Sequence, residues 1–162
     1  MRSERGCACG HGEAPRRDSA HGVAVFSRHA GLGWRSPLDR RQLHTALAAM
    51  CAAAADMGRP VAGVDLYLVN DAAMALANAE HLGSTGPTNV LSFPGAPGMA
   101  GTLLLSLDTL ERECLLYGQP PVNHLLRLLA HGMGHLAGLD HGPEMDALGA
   151  ACEGAARAEL AL

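Results

Sequence analysis

The sequence contains no lysine. All 12 of its basic residues are arginine, against 16 acidic ones, for a net charge of −4 and an isoelectric point near 6.1. A chain with that balance has no global positive field to draw in nucleic acid, so any RNA binding must rest on a local arginine patch and a bound cation. Aromatic residues make up only 3% of the chain, so the core must be assembled mainly from Leu, Val, Ala and Met. Long apolar runs are missing as well. The longest, "ALAAMCAAAA" at residues 46–55, is too short and too rich in alanine to span a bilayer. The first twenty residues are rich in Arg, Gly, Ser and His and hold no apolar signal-peptide core, so we expect a cytoplasmic protein with no membrane partner. The five cysteines (Cys7, Cys9, Cys51, Cys114 and Cys152) are odd in number and lack a disulfide-framework spacing, which fits a reducing compartment.

What is present fits one globular domain. The chain has 162 residues, 48% of them hydrophobic, enough for one core but not for two large ones. Residues 1–20 read as a disordered extension, and residues 21–162 as the folded domain. Cys7, Cys9 and His11 are metal-ligand types, but their spacing lacks a second ligand pair.

Strands are expected at 22–26, at 61–70 with Val64, Leu66 and Leu68 on one face, over "VLSFP" at 90–94, and at 101–107. Helices are expected after Ser36-Pro37, with serine as N-cap, to about Met57, and from a cap at Asp71 to Leu82, stopped by Gly83. A further helix runs from a cap at Asp108 to Tyr117, another follows Pro120-Pro121, and the last follows Pro143. Strands in the first two thirds and helices at the end predict an α+β fold with one small mixed sheet packed against helices.

The stretch "HGMGHLAGLDHG" (131–142) carries the chemistry. A spacing of four residues puts His131 and His135 on one helix face, about 40° apart around the axis. Gly138 can adopt the left-handed conformation that ends a helix and turns the chain, so that His141 approaches the same point from the other side. Three neutral imidazoles leave a fourth position open to water, as in a catalytic zinc site, although nickel or another first-row ion also suits three histidines. Asp140 is placed to orient a ligand histidine. Gly132 and Gly134 each cost roughly 1 kcal/mol relative to alanine inside a helix, so another segment's backbone is expected to pack closely there. His124 is expected in solvent or in the core, His44 and His81 as ordinary surface or partly buried residues, and Cys114 and Cys152 as small apolar packing groups.

Two resemblances compete for this motif. Its spacing is similar to that of the extended zinc-protease motif, but Gly132 stands where a protease carries its glutamate general base. "PTNVLSFPG" (87–95), "GTLLLSLDTLERE" (101–113) and "HGMGHLAGLDHGPEM" (131–145), in that order, resemble successive motifs of the YbeY family, in which glycine is natural after the first histidine. That resemblance implies a metal-dependent endoribonuclease acting on rRNA and ribosomal particles, with a small fold related to the zinc-protease architecture and with His131, His135 and His141 as ligands. It also exposes departures. The family's Tyr-Arg pair falls here on His81 and Leu82, its lysine-bearing loop on the uncharged "GSTG", and Thr102, Gly134 and Leu139 replace a usual aspartate, leucine and tyrosine.

Ser92 and Asp140 are the candidate catalytic groups. Thr88, Asn89, Arg35, Arg40 and Arg41 are the candidate RNA contacts, the arginines because Lys and Arg dominate nucleic-acid affinity. Two other functions remain open from sequence: a zinc hydrolase of peptides, and a ribosome-associated protein whose cleavage has weakened with the loss of arginine at Leu82.

Overall fold

The computed structural model describes residues 22–27 and 35–162. The extension with Cys7, Cys9 and His11 lies outside them. In chain order the elements are β1 (Ala24–Ser27), α1 (Arg40–Asp56), β2 (Val64–Val69), α2 (Asp71–Leu82), β3 (Val90–Phe93), β4 (Gly101–Ser106), α3 (Leu107–Tyr117), α4 (Pro121–Leu136) and α5 (Pro143–Leu160). The sheet order is β1-β2-β4-β3, with β1, β2 and β4 parallel and β3 antiparallel to β4. The fold is therefore α+β with one small mixed sheet, as the element pattern predicts.

Alternation along the strands builds two layers. Val64, Leu66 and Leu68 of β2, with Leu103 and Leu105 of β4, point into one core against Leu47 and Met50 of α1, Leu125, Leu129 and Met133 of α4, and Leu148 of α5. With few aromatic rings available, branched aliphatic side chains and methionine fill this space. The opposite face carries a smaller cluster in which Val69 and Leu91 pack with Met74 of α2. Cys114 and Cys152 are buried free thiols, as their packing role requires.

The helix starts differ from expectation in an instructive way. α1 begins after Asp39 rather than at Ser36-Pro37. The Asp39 carboxylate accepts the Gln42 backbone N–H at 2.8 Å, and the Gln42 side chain accepts the Asp39 N–H at 2.9 Å. This reciprocal capping box satisfies two otherwise orphaned groups at once. α2 and α3 are capped by Asn70 and Ser106, not by Asp71 and Asp108. Those two aspartates reach across to each other's helix. Asp108 accepts the Asp71 backbone N–H at 2.8 Å, while Asp71 accepts the hydroxyls of Ser106 (2.6 Å) and Thr109 (2.7 Å) and the Arg112 guanidinium (2.9 Å). Each carboxylate thus sits at a positive helix N-terminus that is not its own.

The exchange holds α2 against the β4–α3 junction. The backbone N–H of Asp71, then Arg35, hold the Asp108 carboxyl below its ordinary 3.8. At Asp71 burial opposes the charge, but the two hydroxyls and Arg112 outweigh it and lower that carboxyl too. Depressed carboxyls contribute stability that is present above the unfolded value and lost as pH falls through the folded one. Replacing Asp108 with Ala should cost about 1–2 kcal/mol in urea unfolding at pH 7. The gap to wild type should close as the solution is acidified below about 3.8.

Candidate metal centre

The last turn of α4 and the loop after it assemble the site. His131 and His135 stack on one face of the helix, which ends at Leu136. Gly138 follows with φ +78°, a conformation that a side chain would strain. Its N–H bonds to the His135 carbonyl and the Leu139 N–H to the Gly134 carbonyl, both at 3.0 Å, a Schellman termination. The reversal brings His141 back over the helix. The three rings lie with centroids 4.9 Å (His131–His135), 5.0 Å (His135–His141) and 5.2 Å (His131–His141) apart, and their ligand nitrogens all fall within 4.8 Å of one another.

The donor set suits a borderline divalent cation: three imidazoles and, among the described residues, no thiolate or carboxylate in the cluster. His135 Nδ1 bonds to the Leu139 carbonyl at 3.1 Å. That contact assigns the proton to Nδ1 and leaves the Nε2 lone pair for a metal. The orienting group for this ring is a backbone carbonyl supplied by the turn, whereas exposed Asp140 makes no hydrogen bond to any of the three histidines. Burial, then the neighbouring imidazoles of His135 and His141, hold His131 below its ordinary 6.5. A ring kept neutral offers its lone pair to a cation rather than to a proton.

Gly132 and Gly134 have separate reasons. A Cβ at Gly132 would stand 2.8 Å from Leu103 Cδ2 and 3.3 Å from Ser92 Oγ; at Gly134 it would stand 2.8 Å from Met145 Cγ. The close neighbours are side chains of β3, β4 and α5, not the backbone that the glycines suggest from sequence. Any side chain at position 132, a glutamate included, would have to displace fully buried Leu103, so the packing favours glycine where a protease carries its base.

The rings of His131 and His135 open into a cleft of about 720 Å³ whose far wall is β3 and the loop before it. Thr88, Asn89, Ser92 and Asp140 all line it. So does Leu82, 61% exposed at the end of α2, at the position where an arginine is expected by resemblance. Arg35, Arg40 and Arg41 do not. Arg35 donates to Asp108 at 2.6 Å and to Glu111 at 2.5 Å on α3, while Arg40 and Arg41 line a separate groove beside β1. No arginine lines the histidine cleft among the described residues.

Asn89 is not free to meet a substrate. Its amide donates to both Glu113 oxygens at 3.1 and 3.2 Å, and its carbonyl oxygen accepts the Val90 N–H at 2.7 Å. Glu113 also accepts from Nε2 of His124 at 2.7 Å, and Arg127 donates to His124 Nδ1 at 2.8 Å. Only 5% exposed, His124 is therefore a core residue that ties α4 to α3 and to the cleft wall. Glu113 is the anchor that sequence reasoning missed; one glutamate on an amphipathic helix gives no signal of its own. His81 packs edge-on against Phe93 with centroids 4.8 Å apart, outside the histidine cleft.

Fold and site together define a small α+β protein with a three-histidine cluster able to hold a metal ion, set in a cleft beside the sheet edge. The family model described as Endoribonuclease YbeY matches residues 35–149. The chain is 46% identical over 147 residues to the Endoribonuclease YbeY of Nitratidesulfovibrio vulgaris, covering 77% of this chain and 89% of that one. It is 42% identical over 149 residues to that of Oleidesulfovibrio alaskensis, covering 76% and 86%. The chain belongs to the YbeY endoribonuclease family. The solution structure of TM1509 from Thermotoga maritima shares the fold, with a TM-score of 0.60 at 20% identity over 86% of this chain and 91% of that one.

The two helix glycines should respond differently to a methyl group. Alanine gains roughly 1 kcal/mol of helix propensity at either position. At Gly132 the fully buried, branched Leu103 must move, so we expect a net loss of about 1–2 kcal/mol there. At Gly134 the clash is with Cγ of buried Met145, which must change rotamer, but its unbranched chain has more conformations open than Leu103, so the loss should be smaller, below about 1 kcal/mol. Thermal or urea unfolding of the two variants checks the ordering.

Proposed function

We propose that this protein hydrolyses phosphodiester bonds of single-stranded RNA with a divalent ion, zinc first among the candidates, held by His131, His135 and His141. We further propose that its substrate is rRNA in ribosomal particles of the cytoplasm. No helix among the described residues is long and apolar enough to cross a membrane. The observation that carries the reading is a cluster of three imidazoles, two of which face a cleft walled by the Thr88–Pro94 segment, in a chain of the YbeY family. Gly132 counts against the peptide-hydrolase alternative, because the residue at the position of the protease base has no side chain and the packing of Leu103 disfavours one.

When bound, the ion supplies Lewis acidity toward a phosphate oxygen and toward water. The chain's own groups do the rest. The Ser92 hydroxyl, on the wall beside Gly132, donates to a non-bridging phosphate oxygen and fixes the scissile group over the histidines. Thr88 offers a second hydroxyl to the same strand. Asn89, held by Glu113, keeps that wall in register rather than touching RNA. Among the described residues Asp140 is the only carboxylate lining the cleft; it accepts the proton released as water oxygen bonds to phosphorus, while the P–O bond to the ribose oxygen breaks and that oxygen takes a proton from solvent.

Leu82 makes the cleft poorer in positive charge than the family pattern implies, so turnover should be slow but not absent. The test is metal content and cleavage of single-stranded RNA in wild type, His135→Ala and Leu82→Arg. Loss of His135 should remove the ion and lower cleavage by at least ~10²-fold. Arginine at 82 should raise kcat/KM about tenfold through one charge-assisted phosphate contact. Metal-loaded wild type that leaves RNA intact while Leu82→Arg also stays inactive would overturn the proposal, as would cleavage indifferent to loss of His135.

A further inference from the structure

Five of the seven arginines among the described residues are already engaged. Arg35 pairs with Asp108 and Glu111, Arg59 with Glu144, Arg112 with Asp71, and Arg157 with Glu153 and Asn123, while Arg127 donates to Gln119 and His124. Arg40 and Arg41 meet no carboxylate among the described residues, and both are exposed. They share a groove of about 440 Å³ with half-buried His44 and Thr45, between the first turns of α1 and the outer strand β1. The neighbouring Asp39 carboxylate does not neutralise them by contact, since it is turned onto the Gln42 N–H as the helix cap.

Resting on the RNA-cleaving reading above, we infer that the Arg40–Arg41 groove is a second RNA-contact site, one that binds the phosphate backbone of the substrate strand away from the point of cleavage. A polyanion bound to a protein of net charge −4 needs cations that are not already paired, and the histidine cleft offers no arginine among the described residues. Two adjacent guanidiniums on a rigid first helical turn, next to a strand, form the one place in the described fold where two such cations stand together. The sheet order puts this groove at the β1 edge and the histidine cleft at the β3 edge. Three inter-strand steps of ~4.8 Å separate those edges by about 14 Å. Only a strand several nucleotides long can touch both, so the groove selects for length and does not read sequence.

The experiment measures binding of a long, cleavage-resistant 2′-O-methyl single strand to the metal-loaded protein over a range of salt, with Arg40→Glu/Arg41→Glu compared with wild type. Glutamate in the first turn of α1, which carries no acidic residue now, complements the helix dipole and keeps the fold; circular dichroism checks this. The double variant should bind at least tenfold more weakly at low salt. Its log-affinity against log-salt slope should be shallower by about 1.4, from two lost phosphate contacts at ~0.7 each. Arg59→Glu, at an arginine already paired with Glu144, should change neither quantity. An unchanged slope in the double variant, with wild type still binding and cleaving RNA, overturns the second site and leaves the catalytic reading standing. Wild type that neither binds nor cleaves RNA overturns both. Displacement of the strand by an acidic peptide, with RNA affinity itself insensitive to the charge reversal, assigns the groove to a protein partner and overturns the RNA-contact inference.

Discussion

The approach of α4 to the β3–β4 edge at Gly132 sets the distances on which the site depends. With no Cβ at that position, Leu103 packs directly against the helix and Ser92 Oγ comes to lie beside Gly132. The helix can then run on to His135 and end in the left-handed turn at Gly138, which returns the chain to place His141 and aims the Leu139 carbonyl at His135. One missing side chain therefore sets how closely the cleft wall approaches the histidine-bearing helix. The helix accepts an intrinsic cost of roughly 1 kcal/mol for this glycine, which is offset by the packing of Leu103.

The wall opposite the histidines is held from behind. Asn89 is fastened by Glu113, Glu113 by His124, and His124 sits on the same helix as His131 and His135. Cleft wall and histidine-bearing helix are thus tied together by hydrogen bonds, supported on the other side by the exchange of carboxylates between α2 and α3. Most arginines among the described residues are consumed in such structural pairs. The two left uncommitted there, Arg40 and Arg41, therefore carry information.

Much of the site is legible in sequence because its signals are local. Histidine spacing, the helix-ending glycine and the alternation of Val64, Leu66 and Leu68 each follow from periodicity alone. The helix starts were not so readable. Ser36, Asp39, Asn70, Asp71, Ser106 and Asp108 are all capable caps, and the choice among them depends on partners across the fold that no local pattern encodes. Arg35 is near Arg40 and Arg41 in sequence, yet carboxylates 73 and 76 residues away draw it to another surface. Asn89 looked available to phosphate because its anchor, Glu113, lies 24 residues further on.

The central claim is that three imidazoles hold one ion and leave it an open position. X-ray absorption fine structure of the zinc-reconstituted protein tests this most directly. The account predicts three histidine nitrogens and one oxygen at about 2.0–2.1 Å, with no sulfur. A sulfur shell near 2.3 Å, or a shell of oxygens without the imidazole multiple-scattering signature, would contradict it.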